Sequence, residues 1–194
     1  MDDTNRMNRD RKLAGARTTA RALSRGFPPV AAGGAKILIL GSLPGRASIA
    51  AGQYYAQPQN AFWRIMGALV GAGPELAYSQ RLARLTASSI ALWDVLAAGS
   101  REGSLDSAIV PSTALVNDFA ALFERERAIE AVFFNGRTAE HLYRRRAVPR
   151  LPAPFARIPC HWLPSTSPAH AGMPLATKVE RWSVLLEYLR PRGC

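Results

Sequence analysis

Lys36-Ile37-Leu38-Ile39-Leu40 runs straight into Gly41-Ser42-Leu43-Pro44-Gly45, and Gln53-Tyr54-Tyr55-Ala56-Gln57-Pro58-Gln59-Asn60-Ala61-Phe62-Trp63 follows. A short apolar run of this kind, bounded by turn residues, reads as a strand buried on both faces. A strand that opens into glycines offers bare backbone N–H groups and lets a ligand approach the chain closely. The tyrosines, the Phe62-Trp63 pair and Asn60 add flat faces and one amide, a set that suits a nucleobase.

Working outward, the same alternation recurs. The pattern predicts strands over 36–40, 88–96, 129–135 and 157–163. It predicts helices over 60–70, 116–127, 138–146 and 178–189, with Asn117 or Asp118 capping the second of them. Strands alternating with helices predict a three-layer α/β/α sandwich with a central four-stranded parallel sheet. In such sheets the ligand site lies beyond the carboxyl ends of the strands. Those ends are Gly41–Gly45, Asp94, Asn135-Gly136 and Pro164-Ser165-Thr166-Ser167-Pro168, and the polar, Gly and Pro residues gather there.

The 194 residues suffice for one domain, predicted over 25–194, with a flexible basic tail over 1–24. The net charge is +11, from 25 Lys and Arg against 14 Asp and Glu, and Arg far outnumbers Lys. The planar guanidinium fork suits phosphate oxygens, so an acidic polymer is the expected partner; a GC-rich genome accounts for the same bias equally well. Two cysteines are too few for a disulfide framework, which fits a reducing cytoplasm. No apolar run is long enough to cross a bilayer and no apolar signal core stands at the N-terminus, so no membrane partner is expected. Neither G-x-G-x-x-G nor a Gly-Lys-Ser/Thr phosphate loop occurs.

Taken together, Gly41-Ser42-Leu43-Pro44-Gly45, Tyr54-Tyr55 through Asn60-Ala61-Phe62-Trp63, Leu92-Trp93-Asp94-Val95-Leu96, Gly103-Ser104-Leu105-Asp106-Ser107, Phe134-Asn135-Gly136 and Leu163 through Ala169 resemble the uracil-DNA glycosylase superfamily. They are most similar to its hypoxanthine-DNA (deoxyinosine) glycosylase branch. The resemblance implies base flipping and hydrolysis of an N-glycosidic bond in double- or single-stranded DNA carrying a deaminated base. It implies no cofactor and no metal; monomer is the default. Many superfamily members place Asn or Asp in the first loop and His at the head of the last. This chain has Leu43 and Leu163 there, as the deoxyinosine branch does, which implies poor uracil excision. The alternatives are a uracil or mismatch-specific glycosylase and a non-catalytic nucleotide- or DNA-binding module.

On this footing Asn60 is the expected catalytic residue, holding the attacking water; its spacing alone favours a helix cap. Gly41, Ser42, Leu43, Pro44 and Gly45 are expected to floor the base pocket. Tyr54, Tyr55, Phe62 and Trp93 are its expected walls, and Asn135 is a further base contact. Trp63 is expected in the core. An ionised Asp94 is expected to accept from hypoxanthine N1–H and repel the bare N1 of adenine. Ser48, Ser165, Thr166, Ser167, Pro168 and His170 are expected against DNA. His170 and His161 are candidate proton donors to the leaving purine.

Overall fold

Ile37, Leu38, Ile39 and Leu40 are fully buried, and the sheet order explains why. The computed structural model describes residues 23–190. The elements run β1 (Ser24–Arg25), β2 (Ile37–Gly41), α1 (Arg46–Ala51), α2 (Phe62–Val70), α3 (Tyr78–Ala87), β3 (Ile90–Asp94) and β4 (Leu96–Gly99). There follow β5 (Leu115–Val116), α4 (Phe119–Arg125), β6 (Ala131–Asn135), α5 (Arg137–Leu142), α6 (Ala153–Ala156), β7 (Cys160–Leu163), α7 (Leu175–Trp182) and α8 (Leu185–Leu189). The main sheet is parallel with order β3-β2-β6-β7, so β2 lies inside it. Helices cover both faces. Adjacent residues of a strand point to opposite faces: Phe133 meets Tyr188 of α8 at 5.3 Å and Phe134 meets Tyr143, just beyond α5, at 5.3 Å between ring centroids. The predicted sandwich and its four-stranded parallel sheet are therefore present.

The register fixes where the site must be. Gly41 pairs with Asp94, Leu40 with Phe134, and Asn135 with Leu163. The four predicted exits thus stand level at one edge. The chain leaves β2 toward β3, then returns to β6 on the other side, so the crevice between diverging connections opens at this edge.

Three expectations differ from the structure. The run 88–96 is not one strand: β3 ends at Asp94, and Val95 and Leu96 N–H still donate to the carbonyls of Gly41 and Ser42, at 2.8 and 3.0 Å, before the chain leaves the main sheet. Leu96–Gly99 then joins a small antiparallel sheet, order β1-β4-β5. Ser24, assigned to the tail in the sequence, pairs with Gly99 in that sheet; the predicted tail residues 1–22 lie outside the described residues. The predicted helix 178–189 is two helices, starting earlier at Leu175 and broken near Ser183, whose hydroxyl donates to Glu180 O at 2.7 Å. Asp118, not Asn117, caps α4 through Ala121 N–H. Among the described residues no helix is long and apolar enough to cross a membrane.

Candidate functional site

The aligned strand ends and the loops beyond them enclose a cleft of about 670 Å³. Gly41 to Gly45 form its floor, and Asp94, Asn60 and Tyr55 line it. So do Ser48, Asn135 and the last loop from Ser165 to His170. Of the predicted site residues, Phe62 and Trp93 stay outside it.

Tyr55 supplies the aromatic wall. Its ring lies on Phe62 with centroids 4.0 Å apart and planes 21° apart. Its backbone has φ 54°, a left-handed conformation that a bulky residue adopts only when its surroundings impose it. Phe62 is fully buried, and its edge contacts to Trp63 and Trp182 make it the support behind Tyr55 instead of a wall. Trp93 is likewise core: its indole N–H donates to Phe27 O at 2.9 Å and its ring packs on Phe119. Tyr54 is 3% exposed and sends its hydroxyl away, to Pro28 O at 3.3 Å, so it backs the cleft more than it walls it. Trp63 is in the core as expected, its N–H donating to Tyr54 O.

Asn60 stands just before α2. Its Oδ1 accepts from Phe62 N–H at 3.0 Å, which is the capping bond. A carbonyl oxygen has two lone pairs. The backbone takes one and fixes the rotamer; the other is available to a water in the cleft. Capping and water-holding are thus compatible at this residue.

Asn135 has a different task from the one expected. Its Nδ2 donates to Thr166 Oγ1 at 2.8 Å, and its Oδ1 accepts from Thr166 N–H at 2.9 Å. Both ends of the carboxamide hold the last loop onto β6. Thr166 is 1% exposed, so its hydroxyl serves this latch and not a phosphate. Thr166 O in turn accepts from Ala61 N–H, tying the loop to the start of α2. Ser48 is also buried, its Oγ accepting from Ala56 N–H; it braces the tyrosine loop and does not reach out to DNA. Ser165 and Ser167 accept from Ser167 and Ala169 N–H, at 3.2 and 3.3 Å, and shape the rim with Pro168 and the exposed His170. Gly136, at φ 97°, lets this loop come close: a Cβ there would lie 3.1 Å from Ser165 Cβ.

Asp94 departs most from expectation. It is 3% exposed, and its Oδ2 has no hydrogen-bond partner among the described residues. The neighbouring Tyr55 hydroxyl is also buried, beside the Asn135 carboxamide. Burial, reinforced by the charge of Asp106 and opposed by Arg101, pushes the Asp94 carboxyl up to about 8. That shift favours the neutral carboxyl over the ionised one expected from the sequence, and so weakens the expected repulsion of adenine.

Arg101, Leu105, Trp162 and Arg137 also line the cleft and were missed in the sequence. Arg101 forms an ion pair with Asp106 at 3.1 Å and donates to Pro44 O, fastening the 100–107 loop to the floor. Its spacing from Asp106 was visible, but nothing local marked it as a floor contact. Trp162 is exposed on edge strand β7 with the Arg137 guanidinium 4.1 Å from its ring centroid. An exposed Trp beside the buried Leu163 is the alternation signal that could have found it. Among the described residues no group of three or more His, Cys, Asp or Glu is placed to hold a metal ion.

A family model described as the uracil DNA glycosylase superfamily matches residues 28–190. The chain is 46% identical over 118 residues to a protein named hypoxanthine DNA glycosylase from Methanosarcina acetivorans, covering 60% of this chain and 73% of that one. A protein of the same name from Methanosarcina barkeri is 43% identical over 114 residues, covering 58% and 71%. The solution NMR structure of a candidate uracil DNA glycosylase from Methanosarcina acetivorans superposes with a TM-score of 0.68 at 37% identity. That match covers 87% of this chain and 99% of the other.

Proposed function

The chain belongs to the uracil DNA glycosylase superfamily, and from that membership we propose that it hydrolyses the N-glycosidic bond of hypoxanthine, deaminated adenine, in DNA. The observation that carries this reading is the meeting of the Tyr55 face and the Asn60 carboxamide in one cleft at the carboxyl edge of the sheet. On this reading the working unit is a monomer acting on a base flipped from duplex DNA or already single-stranded.

An enzyme working on a base inside a duplex must first take it out of the stack. The flipped base lies on Tyr55, a contact worth about 1–3 kcal/mol. Asn60 accepts a hydrogen bond from the water through its second lone pair, which aims the water's own lone pair at C1′. An amide has no useful basicity, so its contribution is position. That suffices when the C–N bond opens first and leaves an oxocarbenium-like sugar for the water to trap. Leu43 and Leu163, both buried, leave no side chain for a second water ligand in the first loop or an imidazole at the head of the last. The rim hydroxyls of Ser165 and Ser167 position the strand through its phosphates without reading sequence.

The test uses duplexes carrying one inosine, uracil or xanthine, followed by alkaline cleavage of abasic sites. Strand scission at inosine is expected to exceed that at uracil by at least about tenfold. No scission on any duplex by folded protein would sink the enzyme reading. Equal scission at uracil would sink the choice of base.

A further inference from the structure

Resting on that reading, we propose that Asp94 is the proton donor to the departing purine: its carboxyl delivers a proton to N7 of the flipped hypoxanthine as the C1′–N9 bond opens.

Three observations converge on Asp94. It ends β3 directly opposite Gly41, at the floor of the cleft. Its Oδ2 is buried and has no hydrogen-bond partner among the described residues. Gly41 is what admits the carboxyl here: a Cβ there would overlap Asp94 Oδ1 and come within 3.0 Å of Tyr55 Oη. A buried carboxyl left without a partner is costly, and Asp94 lines the cleft where a ligand can supply one.

The charges around Asp94 keep its proton in place. Arg101, the cation that would ionise it, is paired with Asp106 and with the Pro44 carbonyl. Asp106 and Arg101 are the charged groups that act on it, and Tyr54, Tyr55 and Tyr78 are the titratable neighbours it acts on. Burial pushes all three tyrosines upward, so they remain neutral. With its own carboxyl held up to about 8, Asp94 carries an O–H at neutral pH, where an ordinary carboxylate only accepts. A carboxyl raised by an apolar pocket is a recurring solution for a general acid at a glycosidic bond.

The histidines do not take this role. His161 stacks on Phe133 and meets the Tyr188 hydroxyl at 2.7 Å through Nε2, which places it under α8 and out of the cleft. His170 stays at the exposed rim, held through its carbonyl by Lys178.

The step balances. The carboxyl proton passes to N7, the C1′–N9 bonding pair goes to N9, and hypoxanthine leaves neutral as its N7–H tautomer. The water held at Asn60 adds to C1′ and sheds a proton, directly or through solvent, which restores the Asp94 carboxyl. The products are free hypoxanthine and an abasic sugar.

The experiment compares single-turnover cleavage of two duplexes, one carrying deoxyinosine and one carrying N7-methyldeoxyinosine, across pH 5 to 10. The methylated base already bears the positive charge and needs no proton. On deoxyinosine the wild-type rate is expected to be level at low pH and to fall about tenfold per pH unit above about 8. Asp94→Asn is expected to lose about a hundredfold or more there. On the methylated base Asp94→Asn should stay within about threefold of wild type at every pH. The wild-type limb on deoxyinosine is read without any substitution, so it holds even where the variant folds poorly. Equal losses on both bases would overturn the proposal. Wild-type protein that cleaves neither duplex overturns the glycosylase reading and the proton donor with it; cleavage of deoxyinosine with no alkaline fall overturns the donor alone.

Discussion

A methyl group at position 41 has nowhere to go, because it would overlap Asp94 Oδ1 and press on Tyr55 Oη. The Asp94 carboxyl and the Tyr55 ring would both have to shift to make room. Gly41→Ala is therefore expected to destabilise by about 1–3 kcal/mol, read by urea denaturation, and to lose activity more steeply than stability. Asn60→Ala has the opposite profile. It removes one capping bond, worth about 1 kcal/mol, or a few degrees in Tm for a domain of this size. It should nonetheless abolish scission while leaving affinity for an inosine duplex within about twofold, as read by anisotropy. Loss of binding together with scission would assign Asn60 to capping alone. Asp94 adds a pH signature in stability. Its folded value, about 8, exceeds the ordinary 3.8 of the unfolded chain, so between those limits the folded state binds more protons. Stability contributed by this group is complete below about pH 4 and is lost as pH rises to about 8. Asp94→Asn removes that loss. The Tm of the variant should gain on wild type from pH 5 to pH 8, and a constant gap would refute the raised carboxyl.

At the level of elements, the strands were legible where burial made them continuously apolar and where Gly, Asn or Pro marked their ends. Gly41, Asp94, Asn135 and Pro164 all stand where the sequence put them, at one edge of the sheet. The break at Val95 was not legible. Asp94 alone interrupts the apolar stretch from Ile90 to Leu96, and what divides it is tertiary: past Asp94 the chain pairs with β1 and β5 in the small sheet. A similar limit applies to Asn135. Its place at a strand exit was visible, but its partner Thr166 lies 31 residues away, so the choice between base contact and latch rested on tertiary packing. Phe62 and Trp93 failed for a related reason: aromatic character does not say which side of a wall a ring is on. The latch makes a prediction of its own. Asn135→Ala frees Thr166 N–H and Oγ1 together and is expected to cost about 1–3 kcal/mol. Thr166→Val removes only the hydroxyl and should cost less. In hydrogen exchange the 164–170 loop should open in the first variant and stay largely protected in the second; equal protection in both would show that the loop is held elsewhere.

For the whole molecule, charge and chemistry are separated in space. The sequence carries 25 Lys and Arg against 14 acidic residues, whereas on the proposed reading the chemistry falls to Asn60, Tyr55 and Asp94 inside the cleft. Arg101, the cationic side chain on the cleft floor, is neutralised by Asp106. Phosphate neutralisation releases counterions, so affinity falls with salt by a slope of about −0.9 per phosphate contacted. Proton transfer and water capture inside a desolvated pocket are screened far less. Raising KCl should therefore weaken binding of an inosine duplex as a power law while the single-turnover rate at saturating protein stays within about twofold. The measurement is a protein titration of the cleavage rate at several salt concentrations, with midpoint and plateau fitted separately. A plateau that falls while the midpoint holds would mean that surface cations take part in the chemical step, and the separation of roles would be wrong.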